Sequence, residues 1–158
     1  MPPAFTTYVR PLLEYCSPVW SPRHKYLIDG LEKVQKRFTR MVPNISHLPY
    51  STRLSFLGLK TLEERRLIAD LCFCYRSLNG MVDYSLVGQF KRANYEKTRG
   101  HSYKLMPGQY RTDDARFFIT GRVVSAWNSL PQDVVGSSNY SRFRSLINQM
   151  DLSKFSRL

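Results

Sequence analysis

Apolar residues recur along this chain chiefly at the three- and four-residue spacing of an amphipathic helix. The clearest case lies between Pro22 and Val42, where Leu27, Leu31, Val34, Phe38 and Met41 fall within one arc of roughly 80° at about 100° per residue. Lys25, Lys33, Lys36, Arg37 and Arg40 take the opposite side, with only Asp29 and Glu32 among them. The pattern predicts a helix that packs through its apolar arc and turns cations to solvent; a plain solvated face is the bland alternative for such a run. Pro43 ends it, because a proline ring clashes with the turn before it.

Upstream, residues 5–16 (Phe5, Tyr8, Val9, Leu12, Leu13, Tyr15, Cys16) read as a helical remnant in which Pro11 forces a kink or a late start. Ser17-Pro18 and Ser21-Pro22 then break the chain around Trp20, so the opening looks like the tail of a preceding element and Met1 need not be a domain boundary. Downstream, Tyr50, Leu54 and Leu57 share one side of a short helix that Gly58 stops in a left-handed conformation. Thr61 and Glu64 have capping-box spacing, in which hydroxyl and carboxylate each satisfy a free N–H at a helix start. The helix they open should run from Leu62 to about Asn79, bury Leu67, Ile68, Leu71, Tyr75 and Leu78, and leave through Asn79-Gly80.

Residues 81–110 lose the period and carry Gly88, Gly100, Pro107 and Gly108 beside Lys91, Arg92, Lys97, Arg99 and Lys104, which predicts a long basic loop with a short strand near Tyr103–Met106. From about Thr112 the helical pattern returns through Phe117, Phe118, Val123, Val124 and Trp127, weakened at Gly121 and closed by Leu130-Pro131; Phe117, Phe118 and Trp127 follow the period and are expected in the core. A last amphipathic helix carries Phe143, Leu146, Ile147 and Met150, opened by Ser138 or Ser141. The expected fold is therefore mainly α: an irregular bundle of five or six helices with a long basic loop. Its regions are 1–80, the loop 81–111, and 112–158 packing on the first.

Composition fits one domain, since 158 residues with 42% apolar and 13% aromatic content can bury one core. Charge changes the picture more. Lys and Arg number 24 against 12 acidic residues, and the surplus divides evenly, six in residues 1–80 and six in 81–158. Basicity spread over a whole body suits a polyanion such as DNA or RNA, where each neutralised phosphate releases counterions, although solubility alone is an alternative. Cys16, Cys72 and Cys74 are odd in number and lack a second ligand-like pair, which argues against a disulfide framework and a zinc site and for a reducing, intracellular setting. No signal-peptide pattern opens the chain and no stretch of about 18 apolar residues suggests a membrane span.

Catalytic chemistry is hard to find. Template-directed polymerisation needs two carboxylates holding two Mg²⁺ ions about 4 Å apart. The one adjacent pair, Asp113-Asp114, lacks flanking apolar strands and is better placed to complement the positive end of the helix that follows. His24, His47 and His101 stand in unrelated contexts, no Ser or Cys sits in a glycine elbow, and neither phosphate-loop nor dinucleotide glycine pattern occurs. What remains is basic residues interleaved with aromatics: Arg99, His101, Tyr103 and Lys104, then Tyr110, Arg111 and Arg116, which offer ionic contacts to phosphates and rings on which unpaired bases could stack. The alternative is a loop whose aromatics tuck onto the core.

Four stretches, in order and spacing, resemble the region after the catalytic domain of LINE-type (non-LTR) retrotransposon reverse transcriptases of the jockey and chicken-repeat kind. They are Val9-Arg-Pro-Leu-Leu-Glu-Tyr-Cys-Ser-Pro-Val-Trp20; Leu31-Glu-Lys-Val-Gln-Lys-Arg-Phe-Thr-Arg40; Tyr50 to Gly80, with Arg53-Leu-Ser-Phe-Leu-Gly-Leu59 and Leu62-Glu-Glu-Arg-Arg66; and Arg116-Phe-Phe-Ile-Thr-Gly-Arg-Val-Val-Ser-Ala-Trp-Asn-Ser-Leu-Pro131. Thr98-Arg-Gly-His101 and Ser141-x-Phe143 fit the same pattern. The resemblance implies a parent polyprotein, an RNA-directed DNA polymerase with an endonuclease that nicks target DNA and primes reverse transcription from the nick. This segment would be its thumb (1–80) and the extension after it.

A thumb grips the template–primer duplex by its backbone, without reading bases. Fingers, palm and endonuclease are absent from this stretch, so it should be no enzyme by itself; Mg²⁺ belongs to the missing palm, no cofactor or metal is expected here, and the zinc knuckle of some LINE proteins has no suitable cysteines. The expected partners are an RNA–DNA or DNA duplex and the upstream palm, with no membrane, in an intracellular, nuclear setting. The phosphate-contact candidates are Lys33, Lys36, Arg37 and Arg40, followed by Arg65, Arg66, Arg99, Lys104 and Arg111. Two other readings stay open: a protein–protein docking domain of the polyprotein, motivated by Trp20 and the first helix, and a relic reading frame that does not fold stably alone.

Overall fold

A computed structural model describes residues 4–82, 90–93 and 100–156. It is mainly helical, as the periodicity predicts. Among the described residues nine α-helical segments occur: α1 Arg10–Glu14, α2 Ser17–Trp20, α3 Lys25–Arg40, α4 Tyr50–Leu57, α5 Leu62–Leu78, α6 Asp113–Phe117, α7 Ile119–Asn128, α8 Gln132–Val135 and α9 Tyr140–Gln149. Five of them have eight residues or more. The strand expected near Tyr103–Met106 is reduced to one antiparallel bridge, Arg92 with Leu105.

Local chemistry sets the helix ends. Gly58 and Gly80 adopt φ of +62° and +66°, and each lets the next amide reach back to a free carbonyl, Leu59 to Leu54 (2.9 Å) and Met81 to Arg76 (2.9 Å). The Thr61 hydroxyl accepts from the Glu64 amide at 3.1 Å, while the Glu64 carboxylate pairs with Lys60. Asp113 and Asp114 stand in the first turn of α6 behind the Thr112 cap. Two expectations need correction. The helix after Thr112 breaks at Phe118, where ψ is 159°, and Phe117 and Phe118 are only half-buried, whereas Trp127 is fully buried. The last helix opens on Asn139, whose side chain accepts from the Arg142 amide at 2.8 Å, in place of Ser138 or Ser141.

The chain falls into two compact units, Met1–Arg66 with Leu152–Leu158, and Leu67–Asp151, so the division lies inside α5. In the first unit Phe5, Ile28, Ile45, Leu54, Leu59, Leu62 and Leu152 are buried. In the second, Tyr75 stacks on Phe143 with ring centroids 4.3 Å apart, Trp127 lies 6.0 Å from Phe143, and Tyr75 donates to the Ser137 carbonyl at 2.7 Å. Arg122 holds the buried Asp70 through two hydrogen bonds of 2.8 Å.

Candidate nucleic-acid interface

Helix α3 packs through a face the apolar pattern did not indicate. Its buried residues are Ile28, Glu32, Gln35 and Thr39, at helical spacing along one side. Leu27, Val34 and Met41, from the arc expected to be hidden, are 43%, 39% and 74% exposed; Leu31 and Phe38 are half-buried. Phe38 stacks on Phe5 at 4.2 Å, which gives the arc a partial cover.

A polar stripe is costly to bury unless its groups find partners, and here all but the Gln35 Oε1 do. Both Glu32 carboxylate oxygens accept from the Leu62 amide, at 3.0 and 3.3 Å, so Glu32 caps the start of α5 from another helix. The Tyr50 hydroxyl also donates to Glu32, and Gln35 donates to the Tyr50 oxygen (3.1 Å) and the Lys60 carbonyl (3.0 Å). Thr39 accepts from the buried Arg53 at 3.1 Å, and Arg53 reaches the Ser46 and Leu48 carbonyls. Burial holds the Glu32 carboxyl above its ordinary range, opposed by the Tyr50 and Leu62 hydrogen bonds and by the charges of Arg66 and Lys36. Tyr50 is pushed up by burial and by its bond to Glu32.

This network fixes the rotation of α3, and the rotation decides where the cations point. Lys33, Arg37 and Arg40 are exposed, share one side at i, i+4 and i+7, and form no ion pair among the described residues. Lys36 lies at the edge of the row, half-buried, with its ammonium 5.3 Å from the Tyr50 ring centre. Lys25, at the start of the helix, pairs with Asp29 at 3.8 Å. α3 is thus three-sided, with a buried polar stripe, a cationic row and a half-exposed apolar arc, each roughly 110–130° from the next.

The remaining candidates fare differently. Arg65 is engaged by Glu14 through two hydrogen bonds, which also raise its pKa, and has little left for a phosphate. Arg66 is 2% exposed, so its guanidinium has no surface to offer; it leaves the set, and its charge acts inward on Glu32. Arg99 lies outside the described residues. Lys104, in the second unit, is half-buried and lies against Gly100, and Arg111 is exposed.

The aromatics of 101–105 tuck onto the core. His101 is buried, with Nε2 3.0 Å from the Trp127 carbonyl oxygen and Nδ1 accepting from the Tyr103 amide at 3.2 Å. Trp127 donates to the Tyr103 carbonyl at 2.8 Å, and the Asn128 side chain both accepts from and donates to the Leu105 backbone at 2.8 Å. Sequence reasoning missed Asn128 and Glu32 alike: a polar residue beside an apolar run looks solvated until its backbone partner is known.

Among the described residues no helix is long and apolar enough to cross a membrane, and no group of three or more His, Cys, Asp or Glu could hold a metal ion. An uncharacterized protein of Caenorhabditis elegans is 30% identical over 93 residues, a match that covers 57% of this chain and 47% of that protein. The chain therefore spans about half the length of the curated relative it matches. No family model and no solved structure matches.

Proposed function

We propose that this chain is the thumb and post-thumb part of a LINE-type reverse transcriptase, a non-catalytic, sequence-tolerant module that holds an RNA–DNA or DNA duplex by its backbone. The observation that carries the reading is the exposed row Lys33, Arg37 and Arg40, edged by Lys36, on a helix whose rotation is fixed from behind. Seven residues of helix span about 10 Å, the axial rise of about three phosphates on one strand. Such a row neutralises phosphates without reading base edges. In this reading polymerase chemistry and its Mg²⁺ stay with the palm of the parent protein, in an intracellular, nuclear setting.

Binding of a short RNA–DNA hybrid to the full chain tests the proposal. Reversing Lys33, Arg37 and Arg40 to Glu should weaken binding at low salt by at least about tenfold, and hybrids of unrelated sequence should bind alike. Unchanged affinity after the triple reversal rules the reading out.

A second reading, docking on another protein such as the upstream palm, is favoured by the first helix. Tyr8, Leu12 and Tyr15 stand exposed at i, i+4 and i+7, with Val19 beyond them. Co-purification with a palm fragment after nuclease treatment, lost on Leu12→Asp, would support it.

A further inference from the structure

The second unit contains an open cleft of about 740 Å³, lined by Pro107, Gly108, Tyr110, Arg116, Gly121, Val124, Ser125, Asn128 and Ser129. That volume lies in the range of small-molecule sites, about 300–1,000 Å³. Two glycines shape it. A Cβ at Gly121 would lie 2.1 Å from the Arg116 carbonyl oxygen and 3.1 Å from Tyr110 Cζ, and one at Gly108 would collide with the same ring. The Tyr110 ring is therefore seated against both glycines, and its hydroxyl is tied to the Thr120 carbonyl at 3.2 Å. Among the described residues no carboxylate lines the cleft. Arg116 is exposed at its rim and, among the described residues, forms no ion pair; its guanidinium rests 6.0 Å from the Phe117 ring centre. The Ser125 hydroxyl is exposed and engaged by no described residue, whereas both polar ends of Asn128 are committed to Leu105.

We propose that this cleft seats one unpaired nucleotide, with its phosphate on Arg116, its base against the wall formed by Tyr110, Pro107 and Val124, and its sugar edge toward Ser125. An aromatic ring held rigid beside a lone guanidinium suits a π-faced anion, and with Asn128 occupied the wall offers few hydrogen bonds that could tell one base from another. The choice of ligand rests on the nucleic-acid reading, but the residues are separate from those of α3. The module would then hold single strand as well as duplex.

The shared chemistry is a nucleoside monophosphate unit, free or within a strand. Binding of a fluorescent twelve-residue oligothymidylate, of adenosine 5′-monophosphate and of a blunt duplex of the same length would be compared on the full chain, after thermal melts have shown each variant folded. Arg116→Ala, and independently Ser125→Phe, which fills the cleft from an exposed position, should each weaken the oligothymidylate by about fivefold or more and leave the duplex unchanged. Competition by the free monophosphate at comparable concentration identifies a free nucleotide as the ligand; absence of competition identifies the strand. Oligothymidylate binding untouched by both variants overturns the proposal even if the α3 reversal abolishes duplex binding. Sensitivity to Arg116→Ala beside an indifferent α3 reversal would sustain this site and remove the other.

Discussion

Helices α3 and α9 look alike as sequence, each with an apolar arc at three- and four-residue steps and basic residues around it, yet they are buried by opposite rules. In α9 the arc is the hidden face: Phe143 and Ile147 are fully buried, and Phe143 packs on Tyr75 and Trp127. In α3 the hidden face is Glu32, Gln35 and Thr39, and part of the arc meets solvent. Periodicity identifies a face that gains from burial, at about 25 cal/mol per Å². It does not identify the face whose partners are best matched. Around α3 those partners are the Leu62 amide at a helix start, the Tyr50 hydroxyl and the buried Arg53, and the polar stripe supplies acceptors for all three.

The contrast predicts an order of mutational effects. Phe143→Ala should be the most damaging, costing about 3–5 kcal/mol in a denaturant or thermal melt, because the side chain is fully enclosed. Glu32→Ala should follow at about 3 kcal/mol, since it strips the Leu62 amide and the Tyr50 hydroxyl of their buried acceptor; a loss below about 1 kcal/mol would mean that the polar stripe is not what holds α3. A smaller effect should come from pH. Burial lowers the pKa of His101 below its ordinary 6.5, and its Nδ1 must be bare to accept from the Tyr103 amide. Its contribution is therefore present above 6.5 and lost as pH falls through the lowered native value, so melts from pH 7.5 to 5 should show a decline that His101→Asn flattens. Met41→Ser should be the mildest, within about 0.5 kcal/mol, although Met41 belongs to the arc that the sequence marks for burial.

Helix existence and stops were legible because they depend on local chemistry. Gly58 and Gly80 supply left-handed turns, Thr61 supplies a hydroxyl at the right distance, and Pro43 stands beyond the end of α3. Tertiary choices were not. Nothing near Glu32 in the sequence announces an uncapped amide 30 residues later, and nothing near Arg66 announces that it turns inward. Lys33, Lys36, Arg37 and Arg40 were legible as a row because helical spacing alone groups them. Their exposure follows from the network behind them. The cleft in the second unit was half legible: Tyr110 and Arg116 stood out as an aromatic beside a cation, while Gly108 and Gly121, which make room for the ring, looked only like a loop glycine and a weak point in a helix.

The salt dependence of duplex binding tests the central claim most directly. If Lys33, Arg37 and Arg40 each neutralise a phosphate, the slope of log K against log salt for an RNA–DNA hybrid should become shallower by about 0.9 per charge removed, or about 2.7 for the three reversed together. A slope that stays the same after all three are reversed would mean that no phosphate rests on α3.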